Sequence, residues 1–228
     1  MYTIRYFVKR EIHMLFRDRQ DAGKKLIPAL KKYHKAHGTI VIGLPRGGVV
    51  TAFEVASALN LPLDVVFPRK VGAPGQKELA LGAVTETGSG VFNKDLITRI
   101  GVSEEYLKKE IASEIAVAQK RLETYRKVCP KIPLQGKTVI IVDDGLATGA
   151  TMKAAIQSVK KEGVQRIIVA VPVSPPDTAA EIAPTVDEFI ALDTPMFFQA
   201  VGQFYTNFVG TEDEEVIALL KKAQNTLH

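Results

Sequence analysis

Two adjacent carboxylates, Asp143 and Asp144, follow an apolar β-branched run and precede a loop of small and hydroxylated residues. The stretch reads Val139-Ile-Ile-Val-Asp-Asp-Gly-Leu-Ala-Thr-Gly-Ala-Thr151. Such a run predicts a fully buried parallel strand, and ligands of open α/β sheets bind just beyond the carboxyl ends of their strands. Gly145, Gly149 and Ala150 let the backbone come close to a ligand, while Thr148 and Thr151 add hydroxyl donors. A helix predicted over 152–162 would aim its first N–H groups at an anion seated there. Two acids facing a phosphate would repel it, so Asp143 and Asp144 suit neighbouring hydroxyls or a bound Mg²⁺. A phosphate beside a vicinal diol is a ribose 5-phosphate. The segment is not a nucleoside-triphosphate P-loop, because Gly145 to Lys153 lacks the Gly-Lys-Ser/Thr step.

Two further stretches carry candidate anion ligands. Gly43-Leu-Pro-Arg46-Gly47-Gly48 follows a short apolar strand and opens a helix, a second anion-binding geometry on the same sheet edge. It is not Gly-x-Gly-x-x-Gly. Asp64 has nearly the spacing of a dinucleotide-site acid but is placed at the start of the next strand rather than its end. In isolation this stretch is equally well a strand-to-helix turn with an exposed arginine. Arg69 and Lys70 are expected to end that next strand, ahead of a loop marked by Gly72, Pro74 and Gly75; alone they would be solvated surface cations.

The Asp-Asp segment resembles the signature of the type I phosphoribosyltransferases: hydrophobic strand, two acids, then Thr-Gly-x-Thr. Adenine phosphoribosyltransferases share an Arg-Gly turn, an Arg-Lys-x-Gly entrance to a mobile loop and Ala-Thr-Gly-x-Thr-Met. Here these read Arg46-Gly47, Arg69-Lys70-Val71-Gly72 and Ala147 to Met152, within a match covering about 39–173. The chain is most similar to a bacterial group of phosphoribosyltransferases with a Leu-Pro-Arg-Gly-Gly turn and a Val-Gly-Gln-Phe-Tyr tail. The resemblance implies a type I phosphoribosyltransferase fold, with a flexible loop or hairpin and a C-terminal hood.

The implied chemistry is transfer of the phosphoribosyl group of Mg²⁺-bound phosphoribosyl pyrophosphate (PRPP) to a nitrogen acceptor such as a nucleobase, releasing pyrophosphate. Asp143 and Asp144 would hold the ribose 2- and 3-hydroxyls, and Mg²⁺ partly through PRPP or water. Gly145, Leu146, Ala147, Thr148, Gly149, Ala150 and Thr151 would cradle the 5-phosphate. Arg46, Gly47, Gly48, Arg69 and Lys70 would take the pyrophosphate, with residues 73–78 closing as a lid. Phe198, Val201, Phe204 and Tyr205, in a hood over 194–208, are the candidate acceptor contacts, although aromatics near a terminus more often serve packing. A homodimer also follows from the resemblance. Two features depart from the family: Ala147 stands where hypoxanthine/guanine enzymes carry an aspartate, and 73–78 lacks the tyrosine and full acidic pattern of the adenine enzymes. A regulator that senses PRPP without turning it over is the alternative reading, since fold does not settle function.

The elements that must position these residues read as alternating strands and helices, hence an α/β domain whose mostly parallel sheet is covered on both faces. Predicted strands lie at 39–43, 63–67, 139–142, 166–173 and 186–192, with 79–84 a strand or hairpin arm. Predicted helices lie at 18–35 (Asp18 as N-cap), 47–59, 103–127 (opened by Ser103), 152–162 and 212–224, with a short one after Pro176. One domain is expected over 1–228, with 1–14 an appendage, Met14 a candidate start, and 194–228 the hood and last helix.

At 228 residues and 46% hydrophobic content, the chain can bury one core. Its apolar runs are short and interrupted, so no membrane span or secretory leader is expected. Cys129 is the only cysteine, which excludes an internal disulfide and fits a reducing cytoplasm. His13, His34, His37 and His228 lie away from the Asp-Asp segment, giving a histidine triad or metal centre little support. The net charge of +5 is spread along helices and interleaved with acids, which argues against nucleic acid and suits an anionic small substrate.

Overall fold

The computed structural model describes residues 3–6 and 15–226. Its elements, in chain order, are β1 (Thr3–Tyr6), α1 (Arg19–Leu30), β2 (Thr39–Gly43), α2 (Gly47–Leu59), β3 (Leu63–Val65), β4 (Arg69–Ala73), β5 (Gln76–Val84) and β6 (Gly90–Phe92). There follow α3 (Lys94–Arg99), α4 (Glu104–Arg126), β7 (Thr138–Val142), α5 (Ala150–Lys161), β8 (Arg166–Val173), α6 (Pro176–Ile182), β9 (Glu188–Asp193) and α7 (Asp213–Thr226). Six strands form one sheet in the order β1-β9-β8-β7-β2-β3, and every pairing in it is parallel.

Strands buried on both faces explain the unbroken apolar runs. Val41, Ile140, Val142, Ile168 and Ala170 face a core shared with α1, α2, α4 and α7, including Leu26, Phe53, Tyr125 and Leu220. Their neighbours Ile40, Ile42, Val139, Ile141, Ile167 and Val169 face a second core with α5 and α6, including Met152, Ile156 and Ile182. Side chains alternate across a strand, so each strand must be apolar at successive positions. Cys129 lies in the first core, where burial pushes its thiol up to about 11. A thiol held protonated in this way is a packing residue.

Several boundaries differ from the expected ones for local reasons. α1 is capped as predicted, with Asp18 accepting the Asp21 N–H, but it stops at Leu30, passes through a 3-10 turn and reaches Lys35 at a positive φ of 54°. β3 ends at Val65, because the Phe67 N–H leaves the ladder to donate to Glu86 Oε2 at 3.0 Å. Arg69 and Lys70 therefore do not end a core strand. They open a separate antiparallel sheet, β4-β5-β6.

Most of the expected 73–78 loop is also strand, joined by a turn at Pro74-Gly75 in which Gly75 takes φ +70°. This small sheet is tied to α4 by Arg69–Glu114 (2.7 Å), by Tyr106 Oη donating to the Gly72 carbonyl (3.1 Å) and by the Lys77–Glu110 pair. Thr87 and Ser158 hydroxyls, 3.1 Å apart, tie it to α5.

Within the expected N-terminal appendage, Thr3–Tyr6 pairs with β9 as an edge strand of the main sheet; Met14 lies outside the described residues. Between β9 and α7 runs the hood segment, with a 3-10 turn at Val201–Phe204. It is stitched to the chain just before α1 by backbone bonds from Phe16 N–H to the Phe204 carbonyl and from Thr206 N–H to the Phe16 carbonyl, both 2.8 Å. Among the described residues no helix is long and apolar enough to cross a membrane.

Candidate active site

Central β7 delivers Asp143 and Asp144 to the carboxyl edge of the sheet, and its neighbour β2 delivers the Leu44 to Gly48 turn beside them. The two stretches are in contact. A Cβ added to Gly47 would overlap Asp144 Oδ2, and one on Gly48 would lie 2.5 Å from Asp143 Oδ1. Any side chain at either position would displace an acid, so the glycines are there to let the turn and the carboxylates touch. The Pro45–Arg46 peptide within that turn is cis.

The acid pair is asymmetric. Asp143 Oδ1 accepts the Asp144 N–H at 2.9 Å. Burial, and after it the charge of Asp144, holds the Asp143 carboxyl well above the usual carboxylate range. Asp144 is instead paired with Arg19, whose Nε lies 2.6 Å from Oδ2, and its backbone carbonyl accepts the Tyr205 hydroxyl at 2.5 Å.

Beyond the acids the chain forms an open cradle. Leu146 is buried and its N–H donates to the Val173 carbonyl at 2.9 Å; the Ala147 carbonyl accepts Thr178 Oγ1 at 2.7 Å. Ala147 and Thr148 form its exposed crest. Gly149 then takes φ +69°, a left-handed conformation that favours glycine, and caps α5, which starts at Ala150 rather than at the expected Met152. Thr151 follows in the first turn, so the N–H groups that open α5 border the crest. Thr148 and Ala150 share a cleft of about 460 Å³ with Lys70, Lys153, Leu79 to Gly82 and Val91 to Asn93.

The expected cations separate. Arg69 and Lys70 are consecutive on β4 and so point to opposite faces. Lys70 is exposed and lines the cleft, whereas the Arg69 guanidinium turns to Glu114 on α4. Arg46, about a third exposed, holds Glu212 at 2.8 Å just before α7.

The four expected acceptor contacts also divide. Phe204 and Tyr205 are buried, at 4% and 6% exposure, and present no open ring face; Phe198 stacks on Phe204 with centroids 5.2 Å apart. Val201 packs over Gly145, whose Cβ, if present, would meet Val201 Cγ1 at 2.6 Å. The fully presented aromatic of the hood is Phe197, at 85% exposure.

Arg19 and the supporting role of Tyr205 were not among the sequence expectations. A lone arginine after a helix cap has no distinctive spacing, and it lies 125 residues from its partner. Asp64 is structural: it is buried, pairs with Arg126 at 2.5 Å, and accepts the N–H groups of Val65 and Ile132. That removes the acid a dinucleotide site would need.

Residues 17–205 match the family model described as "Phosphoribosyl transferase domain". Two Mycobacterium tuberculosis proteins, each named "Putative phosphoribosyl transferase", are 44% identical over 209 residues, covering 92% of this chain and 47% of theirs. The chain thus spans about half the length of the curated relatives it matches. The crystal structure of TT1426 from Thermus thermophilus superposes with a TM-score of 0.77 at 45% identity, covering 92% of this chain and 99% of that one. With the parallel sheet, the edge-borne acids and the family match in agreement, the chain belongs to the phosphoribosyltransferase family and has the type I fold.

Proposed function

We propose that the chain transfers the 5-phosphoribosyl group of PRPP to a nitrogen acceptor, a nucleobase, with release of pyrophosphate. The observation that carries this reading is the contact of Gly47 and Gly48 with Asp144 and Asp143. It brings the glycine turn against the two carboxylates that precede the 145–151 loop, which supports a turn for an anion, a pair of acceptors for hydroxyls and a phosphate cradle side by side. Pyrophosphate, the vicinal ribose diol and the 5-phosphate lie in the same order along PRPP. Neither a nucleoside triphosphate in a P-loop nor a dinucleotide needs all three at that spacing.

In the reaction the bond from ribose C1 to the pyrophosphate oxygen breaks and a bond from C1 to the acceptor nitrogen forms. Positive charge grows on the ribose ring while negative charge grows on the leaving oxygens. The protein's task is to orient both reactants, stabilise that charge and exclude water. Asp143 and Asp144 clamp the ribose hydroxyls, the N–H groups of the cradle from Ala147 to Thr151 hold the 5-phosphate while that of Leu146 stays with Val173, and the N–H groups at Gly47 and Gly48 meet the pyrophosphate. Lys70 borders the cleft beside Thr148, and its role in this reading is to reach from there to the leaving group. Arg46 joins it by exchanging Glu212 for pyrophosphate oxygens, while Arg69, on the other face of β4, stays with Glu114 as a tie to α4. Mg²⁺ fits the donor set, since two hard carboxylate oxygens at the sheet edge leave its remaining positions to ligand oxygens and water. Bound with PRPP, it would neutralise leaving-group charge, held on the protein side by Asp143 and Asp144.

Calorimetry with Mg-PRPP tests the reading. The Asp143→Asn/Asp144→Asn variant should bind about a hundredfold more weakly, because charged acceptors make the stronger hydrogen bonds. Equal affinity in that variant would remove the ribose role of the acid pair. Pyrophosphate release with a panel of bases then identifies the acceptor. Tight PRPP binding without release by any base would turn the assignment to a PRPP-sensing regulator.

A further inference from the structure

Arg19 owes its place to the local fold of α1. Asp18 caps that helix by accepting the Asp21 N–H at 2.8 Å, which makes Arg19 the first helical residue. Helix α1 packs along α2, whose first residue is Gly47. The same added Cβ on Gly47 that would strike Asp144 Oδ2 would lie 2.5 Å from Arg19 Nε. The ion pair therefore rests directly on the glycine turn.

The guanidinium has three engagements. Nε meets Asp144 Oδ2 at 2.6 Å, Nη1 donates to the Val209 carbonyl at 2.6 Å, and Cζ lies 3.9 Å from the centroid of the Phe208 ring. A planar fork with an aromatic-stacking face can make all three contacts at once, and an ammonium cannot. The pair is largely shielded, with 12% of the Arg19 side chain and 15% of the Asp144 side chain exposed. Solvent and salt screen such a pair much less than a surface one.

Asp144 is held from the hood at both ends. Its carbonyl accepts the Tyr205 hydroxyl, the Tyr205 and Phe208 rings lie 4.8 Å apart, and Phe208 carries the Arg19 guanidinium. On the carboxylate, Arg19 takes Oδ2. With that oxygen anchored, the second is set in a fixed place for a hydroxyl.

We propose that Arg19 is a positioning residue for the donor site. It fixes the Asp144 carboxylate for a ribose hydroxyl of the phosphoribosyl donor and couples that carboxylate to hood residues 205–209, so that donor binding at the sheet edge is felt in the hood. This rests on the donor reading given under Proposed function.

The test combines calorimetry with amide hydrogen exchange on the full chain, using Mg-PRPP as the probe, in wild type, Arg19→Gln and Arg19→Lys. In wild type, PRPP should slow exchange at 145–151 and also at 205–209. Arg19→Gln should bind PRPP about tenfold more weakly, and it should keep the slowing at 145–151 while losing it at 205–209. Arg19→Lys restores the charge without the fork, so affinity should return to within about threefold while 205–209 stays uncoupled. Wild-type affinity in Arg19→Gln, or PRPP-dependent slowing at 205–209 in either variant, overturns the proposal. If Arg19→Gln fails to fold, the exchange pattern of Arg19→Lys decides alone. A wild type that binds no PRPP overturns the transferase reading and the coupling with it. A wild type that binds PRPP without slowing at 205–209 overturns the coupling only.

Discussion

The sheet edge and the hood meet at Asp144 but are built in opposite ways. At the edge, short strands end together and glycines let backbone and carboxylates approach, as where Gly47 and Gly48 touch the two acids. The contacts there are made by backbone and carboxylates, so the edge can give its polar groups to a ligand. The hood has a single 3-10 turn as its regular structure. It holds its place through ring contacts, Phe198 stacked on Phe204 and Tyr205 tilted against Phe208, and through backbone bonds to Phe16. Substitutions at the edge should therefore change binding or rate more than stability, and substitutions of buried hood rings should do the reverse.

The largest expected effect tests the hood. Phe204→Ala removes a buried ring from the first core and should cost about 3–5 kcal/mol of unfolding free energy, with PRPP affinity of the folded fraction little changed. Denaturant melts and calorimetry separate the two quantities. A small stability loss accompanied by a large loss of affinity would erase the contrast between the regions.

Next comes Lys70 on the edge side of the comparison. A donor that meets charge developing only in the transition state affects rate more than ground-state affinity. By analogy with a removed oxyanion donor, Lys70→Ala should lower turnover about 10²–10³-fold, roughly 2.7–4 kcal/mol. PRPP affinity should fall far less, and the melting temperature should hold because Lys70 is exposed. Equal losses in rate and affinity would make Lys70 a ground-state ligand.

The smallest effect has an inverted sign. Burial raises the Asp143 carboxyl above its ordinary 3.8, so the folded chain binds an extra proton between that value and the raised one. Stability accordingly falls as pH rises through that window and stays lower above it. Without ligand at pH 7, Asp143→Asn should melt about 2–4 °C higher than wild type, the shift of a ~1 kcal/mol gain in a domain of this size. The difference should close as pH drops below the ordinary carboxylate value, and PRPP should bind the variant more weakly. A melting temperature lowered at pH 7 would mean that Asp143 stabilises the empty site rather than straining it.

How much of this was legible in the sequence follows the same division. Strands β2 and β8 and helix α2 fall where the apolar pattern puts them, and the caps Asp18 and Ser103 accept the N–H groups of Asp21 and Tyr106 as their positions predict. Each of these features is set by residues a few positions apart. The Arg69-Lys70 step was misplaced because the break after Val65 depends on Glu86, a turn residue in the small sheet, capturing the Phe67 N–H. No local pattern near Val65 reports that bond.

By itself, then, the sequence determined most elements of the main sheet and its helices, the parallel buried strands and the presence of two acids before a phosphate-sized loop, because periodicity, caps and glycine turns are local properties of the chain; the small sheet β4-β5-β6 was not legible in it. Tertiary structure alone decided which cations reach those acids. It turned Arg69 toward Glu114, left Lys70 on the cleft, and brought Arg19 across 125 positions to Asp144. It also sank Phe204 and Tyr205 and left Phe197 exposed. The physical reason is that a side chain's partner is set by the packing of whole elements. Here that packing is α1 on α2 and the hood on α1, and neither contact leaves a repeat or a spacing to read.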